Sequence, residues 1–415
     1  MASEADTRQP TADGQAPGIS TFGSLRVRNY RLYFIGQGIS VAGNWMQNIS
    51  IGWLTLQLTH SGTMLGIVTG ARFVPLLLLG SWGGLIADRT DNRRLMTMTQ
   101  AALAAVSFIL ATLSLVGWAR LPALLAVVVS LGLINVLDGP TRQSLIPQLV
   151  DRDHLTNAIA LNSVMMNTSR IFGPAAAGGL IAALGVTPCF FVNAASFLAV
   201  IASLLMMRTS EMHAAKRQTR AAGQVRAGLR YVYRTPELSQ PLLMVVVTGI
   251  LTWEFPVTLP LMTTSTFHQN ASAYGAAVAC LGVGAVAGGL VAARRRRLTI
   301  VSLAVSAVIW GALILAASLA PSLPVEYALL VFVGSGSVTF NSSAKTLLQI
   351  GAAPQMRGRV MALWSIAWQG TTVVGAPVVG AVGAVLGARY ALGLSGAAAV
   401  GIGAVTLAMR SRSQY

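Results

Sequence analysis

Twelve apolar runs, each long enough to cross a bilayer, follow one another along 415 residues with only short charged clusters between most of them. A hydrocarbon core ~30 Å thick needs about 20 apolar residues per helix. Such runs fall near residues 30–57, 63–87, 94–118, 122–147, 155–184 and 188–207, and again near 240–266, 272–293, 298–320, 324–349, 357–386 and 389–409. Composition agrees, with 54% hydrophobic residues and 10% charged, where a soluble chain carries about 25% charged residues. The expected fold is an all-α membrane protein of twelve transmembrane helices in two six-helix bundles.

The longest charged stretch between runs, residues 208–240, divides the chain almost evenly. The expected organisation is a disordered cytoplasmic tail (1–24), an N-terminal bundle (25–207), a cytoplasmic linker (208–240) and a C-terminal bundle (241–415). The tail "MASEADTRQPTADGQAPG" carries three acids before any apolar run, which is wrong for a secretory signal. With both termini placed in the cytoplasm, 23 of the 29 Lys and Arg residues fall on the inner side, including Arg26, Arg28, Arg31 and Arg294 to Arg297, while Arg120 and Arg389 fall outside. The expected location is therefore the inner (plasma) membrane. The net charge of +17 sits in short clusters between apolar runs rather than on one folded surface, so nucleic acid is not an expected partner. Cys189 and Cys280 lie far apart in apolar runs and indicate neither a disulfide nor a metal site.

The two halves overlay. "GGLIAD" at 83 matches "GGLVAA" at 288, "IALNS" at 159 matches "MALWS" at 361, and "IFGPAAAGG" at 171 resembles "VVGAPVVGA" at 373. The last two pairs share an offset of 202, which indicates a parallel repeat of six helices.

A charge near mid-membrane costs at least ~2.5–3.5 kcal/mol on insertion scales, so it usually faces a cavity or a partner. Arg72, Asp138, Arg170 and Glu254 fall there, and two cations with two anions predict mutual pairing. Glu254 stands out, because "TWEFPVTLP" sets it between Trp253 and Phe255, with Pro256 removing a backbone donor and predicting a kink. An acid among aromatics in a low dielectric is suited to loading and releasing a proton, and Asp138 is a second candidate for that task. A permanent ion pair is the plainer alternative for both. Arg142 and Lys345 lie at matching positions near the inner ends of runs four and ten, where long stems reach the interface. In the first run Gln37, Ser40, Asn44, Gln47 and Asn48 recur at spacings of three and four, and Ser163, Asn167 and Arg170 do likewise in the fifth. Such stripes bind substrate or join helices. With Asn341, the aromatics Trp45, Trp253, Phe255, Phe340, Trp364 and Trp368 complete the candidate cavity lining.

Between runs two and three, Gly84, Asp88, Arg89, Arg93 and Arg94 resemble the loop motif of the major facilitator superfamily, with Asp91 standing where that motif usually has glycine. Further stretches, "GPTRQSLIPQLV" at 139, "NAIALNS" at 157, "RIFGPAAAG" at 170 and "RGRVMALW" at 357, are similar to the branch of enterobactin exporters and bacterial drug efflux proteins. Gly173, Pro174, Gly178 and Gly179 approximate its antiporter motif, with one residue more between the pairs. The resemblance covers essentially all twelve runs. It implies a loop that packs on the eleventh helix and locks the outward-facing state, with Asp88 as a gate paired to basic groups at neighbouring helix ends; on physical grounds an inner-rim carboxylate can pair with an Arg such as Arg142, and the plain alternative is that Asp88 caps the third helix and balances nearby arginines. It also implies helices 1, 4, 7 and 10 around a central cavity and proton-coupled antiport of amphipathic small molecules such as drugs or siderophores, by a monomer. An uptake symporter, a lysophospholipid flippase and a non-translocating membrane sensor stay open at this point. Neither a nucleophile beside a base, nor metal-ligand spacing, nor a phosphate loop occurs, so no enzymatic activity, cofactor, metal or ATP drive is expected.

Overall fold

The computed structural model of the protein describes residues 21–213, 224–293 and 298–412. The remaining tail residues, part of the linker and the arginine run Arg294 to Arg297 lie outside the described residues, as does the side chain of Asp88. Helices and short connections account for the described residues, without a strand among them. Span 1 is α1 (Arg28–Thr59), and span 2 is divided into α2 (Gly62–Ala71) and α3 (Val74–Arg89). Spans 3 to 6 are α4 (Asn92–Leu115), α5 (Leu121–Leu149), α6 (Arg152–Leu184) and α7 (Thr187–Leu205). A short linker helix, α8 (Gln224–Tyr233), precedes span 7, which comprises α9 (Pro236–Leu251), α10 (Phe255–Leu261) and a π-helical turn, Met262–Thr266. Span 7 thus begins inside the segment that the sequence assigned to the linker. Spans 8 to 10 are α11 (Ala271–Ala293), α12 (Ile300–Ser318) and α13 (Leu323–Gly351). Span 11 runs through α14 (Arg357–Ser365), a second π turn, Ile366–Gly370, and α15 (Thr372–Val385), and span 12 is α16 (Ala388–Arg412).

Ten of the twelve spans are long and apolar enough to cross a membrane by length and composition alone. The two that fall short, α1 and α6, are among the longest, and they carry the amide and arginine stripes. Polar residues lower their hydropathy because these helices face the interior of a bundle rather than lipid alone.

All connections with both helix ends described that lead from an odd to an even span, such as 60–61, 185–186 and 386–387, lie at one end of the bundle, the far end. Arg28, Arg93, Arg152, Arg357 and Arg410 mark the other, basic end, where the first span begins and the last ends. Contact between the halves follows two lines, α2 against α15 and α6 against α11. Gly62 meets Gly380, Gly66 meets Ala376 and Gly70 meets Val373, each at backbone distance, and the line stops where Leu77 reaches Gly370. On the opposite side Gly178 meets Ala271 and Gly275, and the line stops where Gly282 reaches Arg170 and Ile171. Nearer the basic end the close glycine contacts stay inside each half: Gly83 abuts Val136 on α5, and Gly288 abuts Ser335 on α13. The halves are closed at the far end and part toward the basic end.

The repeat seen in sequence has a mechanical counterpart. A methyl at Gly173 would meet the Ala42 carbonyl oxygen on α1 at 2.7 Å, and one at Gly178 would meet the Ala271 carbonyl oxygen on α11 at 2.9 Å. Displaced by the offset of 202, Gly375 abuts Ile250 on α9 and Gly380 abuts Gly62 on α2. In each half, one glycine admits the half's own first span and the next admits the opposite half. Helix association in lipid depends on such close approach, since burial from water is not available there.

At the basic end the first half is tightly tied to itself. Arg93 donates to the Leu204 carbonyl at 2.7 Å and to that of Leu205 at 3.3 Å, capping α7. Asn29 and Arg208 exchange hydrogen bonds at 2.9 and 3.0 Å, and Tyr30 donates to the Ala158 carbonyl at 2.7 Å. Asp91, the departure from glycine in the loop motif, accepts from the Arg93 and Arg94 amides at 2.9 and 3.1 Å and so starts α4 as its N-cap. Its backbone is extended, with φ −67° and ψ 110°, so capping rather than turn geometry is what this position uses. Asp138 is fully buried, accepts from Thr99 at 2.9 Å and from Gln100 at 2.7 Å, and pairs with Arg142 one turn along α5.

Two outcomes test this construction. Gly178→Leu or Gly380→Leu should wedge the far end apart by about 2 Å, the spread of interaxial distances between small and large contact residues. Spin labels at Trp118 and Leu319 in a cysteine-free background would read it, and an unchanged distance distribution would count against glycine contact as the closure. Asp138→Asn leaves Arg142 without its anion and should lower stability by about 3–5 kcal/mol, and adding Arg142→Gln should recover most of it. Thermal exposure of the buried Cys189 thiol to a maleimide dye measures both, and two strictly additive losses would show that the pair does not act as a pair.

Candidate functional site

Span 7 breaks where the sequence predicts a kink. Pro256 has no N–H to offer the carbonyl one turn back, so α9 ends at Leu251 and α10 starts at Phe255. Thr252 fixes the break by donating to the Ser395 carbonyl on α16 at 2.9 Å. The two residues that follow engage different neighbours.

Trp253 packs toward other aromatics: its ring lies 4.3 Å from Trp368, 5.8 Å from Phe255 and 6.0 Å from Trp310. The Arg170 guanidinium carbon sits 5.5 Å from the Trp253 ring and 5.5 Å from that of Trp45 on α1. Trp368 continues to Trp364 at 6.3 Å with ring planes 6° apart, and the Lys345 ammonium lies 5.1 Å over Trp364. The result is a ladder running Trp45, Arg170, Trp253, Trp368, Trp364, Lys345. It crosses from the first half to the second through Arg170.

Glu254 is 1% exposed and backs onto α15, where a methyl at Gly375 would lie 2.8 Å from its Oε1, with Thr372 beside it. The Thr372 hydroxyl is the polar group that approaches its carboxylate, and no cation pairs with it among the described residues. It is turned to a neighbouring helix, not to lipid.

The mutual pairing expected of Arg72, Asp138, Arg170 and Glu254 does not form. Asp138 is satisfied locally by Arg142, Thr99 and Gln100, which also leaves Arg142 engaged with Asp138. Arg72, at the break between α2 and α3, donates to Asn48 of α1. Arg170 takes the two indoles instead of a carboxylate. The amide stripe of α1 also divides. Gln47 is buried and accepts from Asn193 of α7 at 2.5 Å, and Gln37 is fully buried, so both sit in the packed interior of the bundle rather than beside the ladder. Asn44 donates to the Ser40 carbonyl of its own helix at 3.0 Å, and Asn167 to that of Ser163 at 2.9 Å. Phe340 is fully buried, stacked at 5.6 Å on Trp310, and Phe255 is nearly so, which makes them backing for Trp253 rather than an open wall. Asn341, half-buried, leaves its carbonyl oxygen without a partner. Of the loop motif, Gly84 is buried, Arg89 is exposed, and Arg94 lies 3.7 Å from Asp91.

One buried acid escapes a reading by runs. Glu326 lies in the first turn of α13, 1% exposed, and neither carboxylate oxygen takes a hydrogen bond. Near it Arg389 donates to the Ser318 and Ala320 carbonyls at 3.0 and 2.8 Å. An acid two residues inside a run looks like an interfacial end residue, and only the packing of neighbouring spans buries it.

With this geometry in hand the chain can be set beside known proteins. It is 32% identical over 177 residues to the staphyloferrin A transporter of Staphylococcus aureus, an alignment over 42% of this chain and 44% of that one, so the chain spans less than half the length of that relative. It is 26% identical to the multidrug efflux pump Tap of Mycobacterium tuberculosis over 78% of this chain and 79% of that protein. The enterobactin exporter EntS of Citrobacter koseri is 24% identical over 90% of each. Among solved structures, a bacterial homologue of the human lysosomal transporter Spinster, in an inward-facing unoccupied conformation, superposes with a TM-score of 0.71 at 15% identity, over 92% of this chain and 96% of that one. That likeness speaks for the fold. Residues 19–414 match the transmembrane secretion effector family, and the chain is a member of that family, a multi-pass membrane protein within the major facilitator superfamily.

Proposed function

We propose that this protein exports amphipathic small molecules, such as drugs or siderophores, in exchange for protons, by tilting two six-helix halves about a site at mid-membrane. The single observation that carries this reading is Glu254, an acid buried at a helix break between spans 7 and 11 with the Thr372 hydroxyl beside its carboxylate and no cation paired to it among the described residues. A buried ionised carboxylate without a partner costs several kcal/mol, so a group in that setting changes its charge when its surroundings change. Asp138, the other candidate, is held by Arg142, Thr99 and Gln100 in a pocket of its own, which favours a fixed structural charge. The crevice that parts toward the basic end is compatible with a protein resting open on the cytoplasmic side of the inner membrane, with both chain ends there, as the distribution of Lys and Arg supports.

In this reading residues 25–207 and 241–415 move as two bodies in a monomer, with 208–240 as the cytoplasmic linker. The loop motif of Gly84, Asp88, Arg89, Arg93 and Arg94 would engage span 11 when the basic end shuts. Two of the relatives are an efflux pump and an exporter by name, which supports the outward direction.

The test is direct. In everted vesicles with an acidic lumen, protein-dependent accumulation of a fluorescent amphipathic dye or a metal-free siderophore should collapse on adding a protonophore. Glu254→Gln should lower the driven rate by at least tenfold, while counterflow in the absence of a gradient persists. Accumulation by Glu254→Gln equal to that of the unaltered protein would reject the carrier role.

A further inference from the structure

The ladder between the halves has a charge as well as a shape. Of the cations Arg72, Arg142, Arg170 and Lys345 within spans, Arg142 pairs with Asp138, while Arg72, Arg170 and Lys345, the last exposed near the inner end of α13, form no ion pair among the described residues. Arg72 has an amide partner in Asn48, whereas Arg170 has no hydrogen bond at all among the described residues and keeps a buried Nε without an acceptor. The acids expected to pair with it are engaged elsewhere: Asp138 with Arg142, and Glu254 against Gly375 and Thr372. A cation held at membrane depth without an anion, as Arg170 is with its buried Nε, is expensive and marks a place where one arrives.

The aromatic rings define the rest. A guanidinium over indole faces still carries its five N–H donors in its own plane, a fork that matches two oxygens of a carboxylate. The Trp364–Trp368 pair is nearly parallel, a surface for a flat ring. Arg170 and Lys345 stand at opposite ends of the indole series Trp253, Trp368, Trp364. A cationic cargo would meet two uncompensated positive charges here, and a neutral one would leave them unpaired.

We infer that the cargo is an anion on a flat aromatic body, its carboxylate or similar oxyanion taken by Arg170 between Trp45 and Trp253 and its ring laid along Trp368 and Trp364 toward Lys345. This deepens the export reading and rests on it for the word cargo, although binding itself does not. It assigns Arg170 and Lys345 the selection of charge and Glu254 the proton alone.

A matched series tests it: 1-naphthoate, 1-naphthamide and 1-naphthylmethylamine, titrated calorimetrically into the full chain in lipid nanodiscs, with empty nanodiscs subtracted. Naphthoate should bind at least tenfold more tightly than the amide or the amine, since a charge-assisted pair in a partly dry site contributes about that much. Arg170→Gln should abolish the preference, and Arg170→Lys should retain part of it. Lys345→Gln should reduce it by a smaller factor. The thiol-exposure melting curve of each variant identifies any that has not folded, and Arg170→Lys keeps the charge if Arg170→Gln fails there. An amine that binds as tightly as naphthoate, or a preference that survives Arg170→Gln, overturns the inference. Naphthoate binding without pH-driven flux leaves this inference standing and removes export. Glu254-dependent export of the amine does the reverse.

Discussion

The fold depends on helix backbones that touch across the two halves without hydrogen bonds. Between described residues, each side-chain hydrogen bond stays within one half or ties the linker to one half, as Arg208 to Asn29 and Tyr231 to Ala353. What crosses is glycine against carbonyl and against apolar side chains such as Leu77, Ile171 and Leu261, along α2–α15 and α6–α11 and at their ends, an aromatic stack of Trp53 on Tyr274 at 6.4 Å, and Arg170 over Trp253. Such contacts are short-ranged and weakly directional, each van der Waals pair worth only ~0.1–0.2 kcal/mol. Their sum holds the far end shut, yet none would have to be replaced by an equally oriented partner if the halves slid as proposed. A hydrogen-bonded seam would have to leave buried donors and acceptors unpaired at each passage, at about 1–3 kcal/mol for each group.

Much of this was legible from the chain. The lengths of the apolar runs and the clusters between them follow from bilayer thickness, and the same scan picked out α1 and α6 although polar residues lower their hydropathy. The offset of 202 was legible as well, and it reappears in what Gly173, Gly178, Gly375 and Gly380 touch. The kink in span 7 followed from Pro256 alone. The pairing of the buried charges was not legible. A count of two cations and two anions says nothing of distance, while the spacing of four between Asp138 and Arg142 on one helix was the local signal that prevailed. Periodicity placed Gln37, Ser40, Asn44, Gln47 and Asn48 along one side of α1, but a helix inside a bundle has neighbours in most directions. Gln47 therefore went to α7, and Asn48 to Arg72, from the same stripe.

The break in span 7 ties the two proposed tasks together. Trp253 and Glu254 are adjacent in the chain, and Thr252 anchors the break to α16. Trp253 belongs to the ladder, and Glu254 lies against Gly375, the glycine through which α15 approaches α9. A side chain at 375 larger than hydrogen has no room beside the carboxylate, so any shift of α15 relative to α9 changes the surroundings of Glu254 directly. The same α15 meets the opposite half at Gly380, one and a half turns further on. Opening the far end would therefore move the helix that covers the acid, while cargo bound on Trp368 as inferred would press on the π turn that leads into that helix. Proton and cargo need not touch for one to sense the other. They share α15, which is both the lid on Glu254 and half of the seal at the far end.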